Sequence, residues 1–347
     1  MVFGSIWQIY QNHDELVLAA GTWEGYLGLG SWDALGDELV SLVGTHLHVF
    51  DLQDGGGLAY HGSATVRGSI PDQFAIDERD GVLRVATTEW LSSSTASTQR
   101  NDVFTLALSS AGVTPLGSVE DIAPGESMYS ARFVDDKAYV VTFKQVDPLF
   151  VIDLSTPATP TIQGELTLPG FSEYMHPIDS GHLLTIGYDA DANGAVQGLA
   201  LQLFDVTDPT APTLLAKHAL TDGTGWSYSE ALYNHKAFTF YDGMLAIPVS
   251  GWDEATGTPH SSLDLFDVDL QTGITPMGSV DHTPYFNVAE DGCYYYGYDV
   301  RRGLFIDQYL VSVSEGAVVA TDVSNMSTPV AVVQLPELQS TCDYYYD

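Results

Sequence analysis

The chain has 347 residues, 45% of them apolar, and carries 46 acidic side chains against 11 basic ones for a net charge of −35. That balance argues against nucleic acid, whose phosphates need clustered Lys and Arg, and against an anionic membrane surface, while it suits a soluble protein that binds cations or lives in salt. No run of about 18 apolar residues occurs, so no membrane-spanning helix is expected, and 33 Gly and 16 Pro among 19 Tyr and 14 Phe point to short strands divided by turns.

Read in chain order, residues 1–10 lack the basic and apolar regions of a signal peptide, so none is expected within this chain. A first unit near 5–70 contains Val49-Phe50-Asp51-Leu52. Its His46 and His48 share a strand face, which would suit a metal pair, but no third ligand is near and ordinary packing is expected. A second unit, 72–122, opens on Phe74-Ala75-Ile76-Asp77 and repeats the phrase without its acid as Val103-Phe104-Thr105-Leu106. The third, 126–169, reads as four strands at 131–134, 137–143, 149–154 and 161–166, with Asp135-Asp136 as one turn and Ser155-Thr156-Pro157 as another. Val151-Ile152-Asp153-Leu154 is its version of the phrase.

The fourth unit, 172–220, opens on His176-Pro177-Ile178-Asp179 and carries Leu203-Phe204-Asp205-Val206, then Thr207-Asp208-Pro209. The fifth, 227–282, carries Leu265-Phe266-Asp267-Val268. The sixth, 300–336, opens on Leu304-Phe305-Ile306-Asp307 and ends with the degraded Ala320-Thr321-Asp322-Val323, leaving a tail at 337–347. The phrase aspartates from 153 onward are spaced by 52, 62 and 55 residues, and the 102 residues from Asp51 to Asp153 are two periods of 51. Such a period marks a repeat architecture. One four-stranded sheet cannot bury both faces alone, and radial stacking of such sheets does so. The expected fold is therefore all-β, a single β-propeller domain of six four-stranded antiparallel blades with minimal helix, in preference to a sandwich or a β-helix.

The segment from Gly125-Glu126-Ser127-Met128-Tyr129 through Leu149-Phe150-Val151-Ile152-Asp153-Leu154 resembles a signature of secreted bacterial and archaeal proteins with a C-terminal β-propeller distantly related to WD40. Gly170-Phe171-Ser172-Glu173-Tyr174-Met175-His176-Pro177, Tyr228-Ser229-Glu230-Ala231-Leu232-Tyr233-Asn234-His235-Lys236-Ala237-Phe238 and Arg301-Arg302-Gly303-Leu304-Phe305-Ile306 are similar too. The resemblance covers roughly residues 5–336. It implies a propeller and an extracellular or cell-surface setting, and no particular reaction. Members of that family usually carry further N-terminal sequence, with a signal and extra blades, which leaves open whether six units complete the ring.

Asp189-Ala190-Asp191-Ala192-Asn193-Gly194 fits the start of a calcium loop, with side-chain oxygens at alternate positions and Gly at the sharp turn. Ala200 stands where an EF-hand needs Glu, and the flanks read as strands. The expectation is a strand–loop–strand calcium site of Asp189, Asp191, Asn193 and Gln197, with a plain polar turn as the alternative. Arg132, His176, Glu230, His235 and Arg302 lie at or near opening strands, with Lys236 and Arg301 beside them. They form a candidate ligand-binding ring at the channel mouth, or else fix contacts between blades. Cys293 precedes the last unit's opening strand and Cys342 follows its fourth. A disulfide between them would close 49 residues, worth roughly 3–4 kcal/mol in the chain-entropy model. No nucleophile elbow, zinc helix or P-loop is present. The function expected first is a secreted or surface binding module for a protein, glycan or small polar ligand. The alternatives are a hydrolase or lyase at the channel mouth and a structural module of a larger extracellular protein.

Overall fold

Short runs of β-branched and aromatic residues broken by acidic turns give strands throughout. The computed structural model describes residues 5–22, 40–41, 43–93, 95–143, 147–191, 193, 195–221, 227–253, 258–285 and 299–336. The strands make six antiparallel sheets of four consecutive positions each. The first sheet runs Ile6–Gln11, Glu15–Thr22, Gly44–Gln53 and Gly57–Arg67. In the second, Ile76–Arg79 and Val40–Ser41 share the first position, followed by Val82–Ser92, Ser97–Ser109 and Gly112–Ile122. The third comprises Ser127–Val134, Lys137–Phe143, Asp147–Asp153 and Thr161–Leu168.

The fourth comprises Phe171–Asp179, His182–Ala190, Val196–Asp205 and Thr213–Ala219. In the fifth, Ser227–Tyr228 and Thr239–Tyr241 share the first position, before Met244–Asp253, Thr258–Asp269 and Gly273–Asp281. The sixth is Val300–Ile306, Tyr309–Ser314, Ala317–Asp322 and Pro329–Gln334. Helical structure among the described residues is confined to 3-10 turns, and no helix is long and apolar enough to cross a membrane.

The acidic turns and the repeated phrase have local physical causes. Asp80, Asp135, Asp242 and Asp307 follow the first strand of four sheets and all adopt positive φ, between 49° and 53°, a region that Asp tolerates better than bulkier residues. The phrase aspartate closes the turn after the third strand. Asp153 accepts the Ser155 N–H at 2.9 Å and Asp322 the Ser324 N–H at 2.9 Å. The polar exit of that strand then packs against another sheet. A Cβ on Gly117 would lie 2.7 Å from the backbone oxygens of Pro157 and Ala158, and one on Gly164 would strike the Pro209 carbonyl. Both glycines sit beside bulges in fourth strands, where the backbone bends to admit the loop.

Two placements differ from the sequence reading. Val40 and Ser41 pair with Ser92 and Leu91, so the first unit supplies a strand to the second sheet. The opening run of the second unit is a strand only from Ile76, because Asp72 caps a 3-10 turn at Gln73–Ala75. In the fifth sheet, two further turns at Glu230–Leu232 and His235–Ala237, capped by Ser229 and Asn234, interrupt the first strand position in the same way.

Contacts divide the chain into two compact units: residues 1–181 with 206–213, and residues 182–205 with 214–347. The core of the first gathers Val17, Leu47, Leu83, Val103, Ala131 and Ile152; that of the second gathers Leu263, Leu265, Val280, Leu310 and Val319. Second strands show how each sheet is covered. Ala138–Thr142 in the third sheet and Leu245–Gly251 in the fifth are buried without interruption, hence on both faces. In the first and sixth sheets burial is one-sided: Leu310, Ser312 and Ser314 are buried while Tyr309, Val311 and Val313 are not, and Trp7, Ile9, Ile306 and Val333 are exposed.

Candidate functional site

The first unit brings together polar and aromatic side chains from three first-strand positions. Arg132 lies on Ser127–Val134 and extends over the Phe74 ring, its guanidinium carbon 4.3 Å from the centroid. Phe74 is held in the turn whose cap, Asp72, accepts the N–H groups of Phe74 at 2.7 Å and Ala75 at 3.1 Å. The Phe74 ring meets Tyr174 at 5.4 Å, and the Tyr174 hydroxyl lies 3.4 Å from His176 Nδ1. Tyr174 and His176 are two apart on Phe171–Asp179 and so project to one face. Glu173, on the other face of that strand, acts electrostatically on Tyr129, which packs against Phe143 and Phe171.

The charge balance of this cluster is unusual for the chain. Arg67, Arg79, Arg84, Arg100 and Arg301 each pair with at least one carboxylate. Among the described residues Arg132 makes no ion pair and no hydrogen bond through its guanidinium. It is half-buried, and burial lowers its pKa against the pull of Tyr174, Asp72 and Asp77. Burial raises the Asp72 carboxyl, opposed by its two backbone N–H donors and by Arg132. Burial, with a smaller push from Asp72, raises Glu173 to about 7. Burial and then the Arg132 charge lower His176 to about 4, so its imidazole is neutral at pH 7. The cluster therefore offers one cation, a neutral imidazole and the Asp72 carboxyl, with Glu173 on the opposite face of its strand.

The other expected site residues lie in the second unit. Glu230 accepts Arg301 Nη1 at 3.0 Å, Asn234 Nδ2 at 2.9 Å and the Tyr233 hydroxyl at 3.3 Å, and Arg301 also reaches Glu315 at 2.9 Å. These bonds lock the interrupted stretch of the fifth sheet to the sixth. Tyr228 joins them through Asp299. His235 belongs to the second capped turn, and Arg302 is exposed on the opening strand of the sixth sheet. His282, fully buried, places its two ring nitrogens 2.9 Å and 2.7 Å from the Ser314 and Ser312 hydroxyls, and burial lowers it to about 4.

In the expected calcium loop one carboxylate oxygen each of Asp189 and Asp191 is engaged. Asp191 accepts the N–H groups of Asn193 at 2.8 Å and Ala195 at 2.9 Å, Asp189 pairs with Lys217, and Gln197 donates to the Ala195 carbonyl at 3.1 Å. Lys217 already supplies a positive charge where the ion would sit, so this donor set fits calcium poorly as it stands. No group of three or more His, Cys, Asp or Glu able to hold a metal occurs among the described residues. His46 and His48 have rings 6.4 Å apart, and His46 Nδ1 bonds Thr65 at 2.5 Å. The expected Cys293–Cys342 disulfide lies outside the described residues.

Sequence reasoning missed Asp72, Phe74 and Tyr174 as neighbours of Arg132 and His176. The available signals were the cap residue before a short apolar run, and an aromatic two positions before His176.

The family model described as a beta propeller domain matches residues 1–326. An uncharacterised protein of Archaeoglobus fulgidus is 37% identical over 195 residues, which is 56% of this chain and 28% of the relative. An uncharacterised protein of Methanocaldococcus jannaschii is 36% identical over 186 residues, 52% of this chain and 28% of the relative. The chain thus matches under a third of the length of either relative. The solved periplasmic gluconolactonase of Pseudomonas aeruginosa is similar in fold, with a TM-score of 0.50 at 10% identity over 94% of this chain and 85% of that one.

Proposed function

The chain belongs to the beta propeller domain family, and on that premise we propose that it is a binding module whose ligand site is the Arg132 cluster of the first unit. The observation that carries this reading is the half-buried guanidinium stacked on Phe74 with no carboxylate paired to it among the described residues. In a chain with 46 acidic residues an arginine finds an acidic partner easily, as five others do. One kept on an aromatic face is suited to receive an anionic or strongly polar group from outside. The test is a thermal-shift screen of small anions against their neutral amides. Anions should raise the melting temperature of the wild type and leave Arg132→Met unmoved; equal shifts in both proteins would refute the reading.

A second reading, that the chain is one module of a larger extracellular protein, has its own support in the first and sixth sheets. Each has one apolar face exposed among the described residues, with Ile306 and Val333 exposed on the sixth. If that face is a docking surface, Ile306→Lys with Val333→Lys should lower dye binding by the 347-residue chain without lowering its stability. A large loss of stability would mean that the face is already packed. The extracellular or cell-surface setting belongs to this proposal, resting on the acidic composition and the family resemblance, and surface proteolysis of intact source cells tests it. A calcium ion at the 189–197 hairpin is a separate proposal. It requires displacing Lys217 from Asp189, and it fails if melting curves in calcium and in EDTA coincide.

A further inference from the structure

We propose that Asn325 is an N-glycosylation site, a side-chain carboxamide that receives a glycan from a polyprenyl-phosphate-linked donor outside the cytoplasm. The inference rests on the extracellular or cell-surface setting proposed above and adds a covalent modification to it. It starts from the sequence. Of the six asparagines in the chain, Asn325 alone has a hydroxyl residue two positions on with no proline between, as Asn325-Met326-Ser327. Thr328 follows, so the first proline comes only at Pro329. That spacing is the acceptor pattern for N-linked glycans, and it is usable only on an accessible turn. The geometry of this turn carries the assignment beyond the pattern.

Asn325-Met326-Ser327 lies between the third and fourth strands of the sixth sheet. Asp322 fixes the approach: its carboxylate accepts the Ser324 N–H at 2.9 Å and its carbonyl accepts the Asn325 N–H at 2.9 Å. Met326 anchors the centre. It is 8% exposed, belongs to the core of the second unit and sits on Gly278 of the fifth sheet, where an added Cβ would lie 2.6 Å from the Met326 Cβ. With the middle side chain buried, the two flanking ones turn to solvent, and both Asn325 and Ser327 are exposed. The Ser327 hydroxyl donates to Asn325 Oδ1 at 2.8 Å. That bond engages the carboxamide oxygen and draws density from the amide, while Nδ2 makes no hydrogen bond among the described residues. In the transfer, Nδ2 forms a bond to the anomeric carbon of the donor sugar. The bond from that carbon to the donor's phosphate oxygen breaks, the lipid phosphate leaves with the electron pair, and one amide proton passes to the medium. The corresponding exits of the third and fourth sheets, Ser155-Thr156-Pro157 and Thr207-Asp208-Pro209, hold no asparagine.

The experiment is mass spectrometry of chymotryptic peptides from the full chain recovered from its source cells, run beside the surface proteolysis that tests the setting. The peptide containing Asn325 should carry a glycan mass, localised to that residue by fragmentation. Returned to the same cells, Asn325→Gln and Ser327→Ala should each give the bare peptide, whereas Ser327→Thr, which keeps the hydroxyl, should keep the glycan. Both positions are exposed, so the melting temperatures of the three variants purified without glycan should match the wild type. A bare Asn325 peptide from chain that the surface protease cleaves would overturn the glycosylation and leave the setting standing. A bare peptide from chain that the protease does not reach would overturn both. A glycan that persists in Ser327→Ala would overturn the part given to the hydroxyl, and one that persists in Asn325→Gln would overturn the site.

Discussion

Arg132 in the first unit and Arg301 in the second occupy opening strands of their sheets, yet their surroundings are opposite. Arg301 is spanned by Glu230 and Glu315, and Glu230 is in turn tied to Asn234 and Tyr233. Arg132 has an aromatic ring beneath it and no paired carboxylate among the described residues. Two histidines repeat the contrast. Both are held near 4 by burial, but His282 has a serine hydroxyl on each nitrogen, whereas His176 shares its environment with a cation. An arginine thus serves architecture where its donors meet carboxylates of the fold, and is left for a ligand where they do not.

The contrast is broken or sharpened by four measurements. The largest effect belongs to His282. Its pKa is depressed when folded, so its contribution to stability is complete above the ordinary value near 6.5 and is lost as pH falls toward about 4. That loss is on the order of 3 kcal/mol, and urea melts at pH 7.5, 6 and 4.5 should show it shrinking in His282→Gln. Next, Arg301→Met leaves Glu230 with its neutral partners only. Fully buried pairs lose about 3–5 kcal/mol on such a change, and since Arg301 is 39% exposed the expected loss is about 1–2 kcal/mol. Asp72→Ala removes the cap of the turn carrying Phe74 and should cost about 1 kcal/mol while weakening anion binding. Arg132→Met should cost least, under about 1 kcal/mol, because it breaks no ion pair; a loss equal to that of Arg301→Met would erase the distinction between the two regions.

Most of the sheet architecture is legible in the chain because each strand carries its own evidence. Lys137–Phe143 and its Asp135-Asp136 turn are set by residues a few positions apart, and the phrase aspartate caps a turn two residues ahead. The interrupted first positions are partly legible, since Asp72, Ser229 and Asn234 are cap residues, but nothing local says that a strand will be broken and resumed. The site is the least legible part. Phe74 lies 58 residues before Arg132 and Tyr174 lies 42 after it, and only the stacking of sheets brings them together. The acidic hairpin shows the converse: Asp189-Ala190-Asp191 looks like a cation loop because its neutralising Lys217 arrives from 28 residues away. Local sequence records which groups are available, and the tertiary neighbours decide whether they are already spent.

The glycines at 117 and 164 give the array a grammar. Each is a socket on a trailing strand that accepts the exit loop of the sheet encoded next, at Pro157-Ala158 and at Pro209. Successive sheets are therefore not interchangeable tiles. Exchanging two of them would set a side chain against a carbonyl or leave a socket empty, so shuffling or duplication should succeed only when a sheet travels with the loop that its predecessor receives.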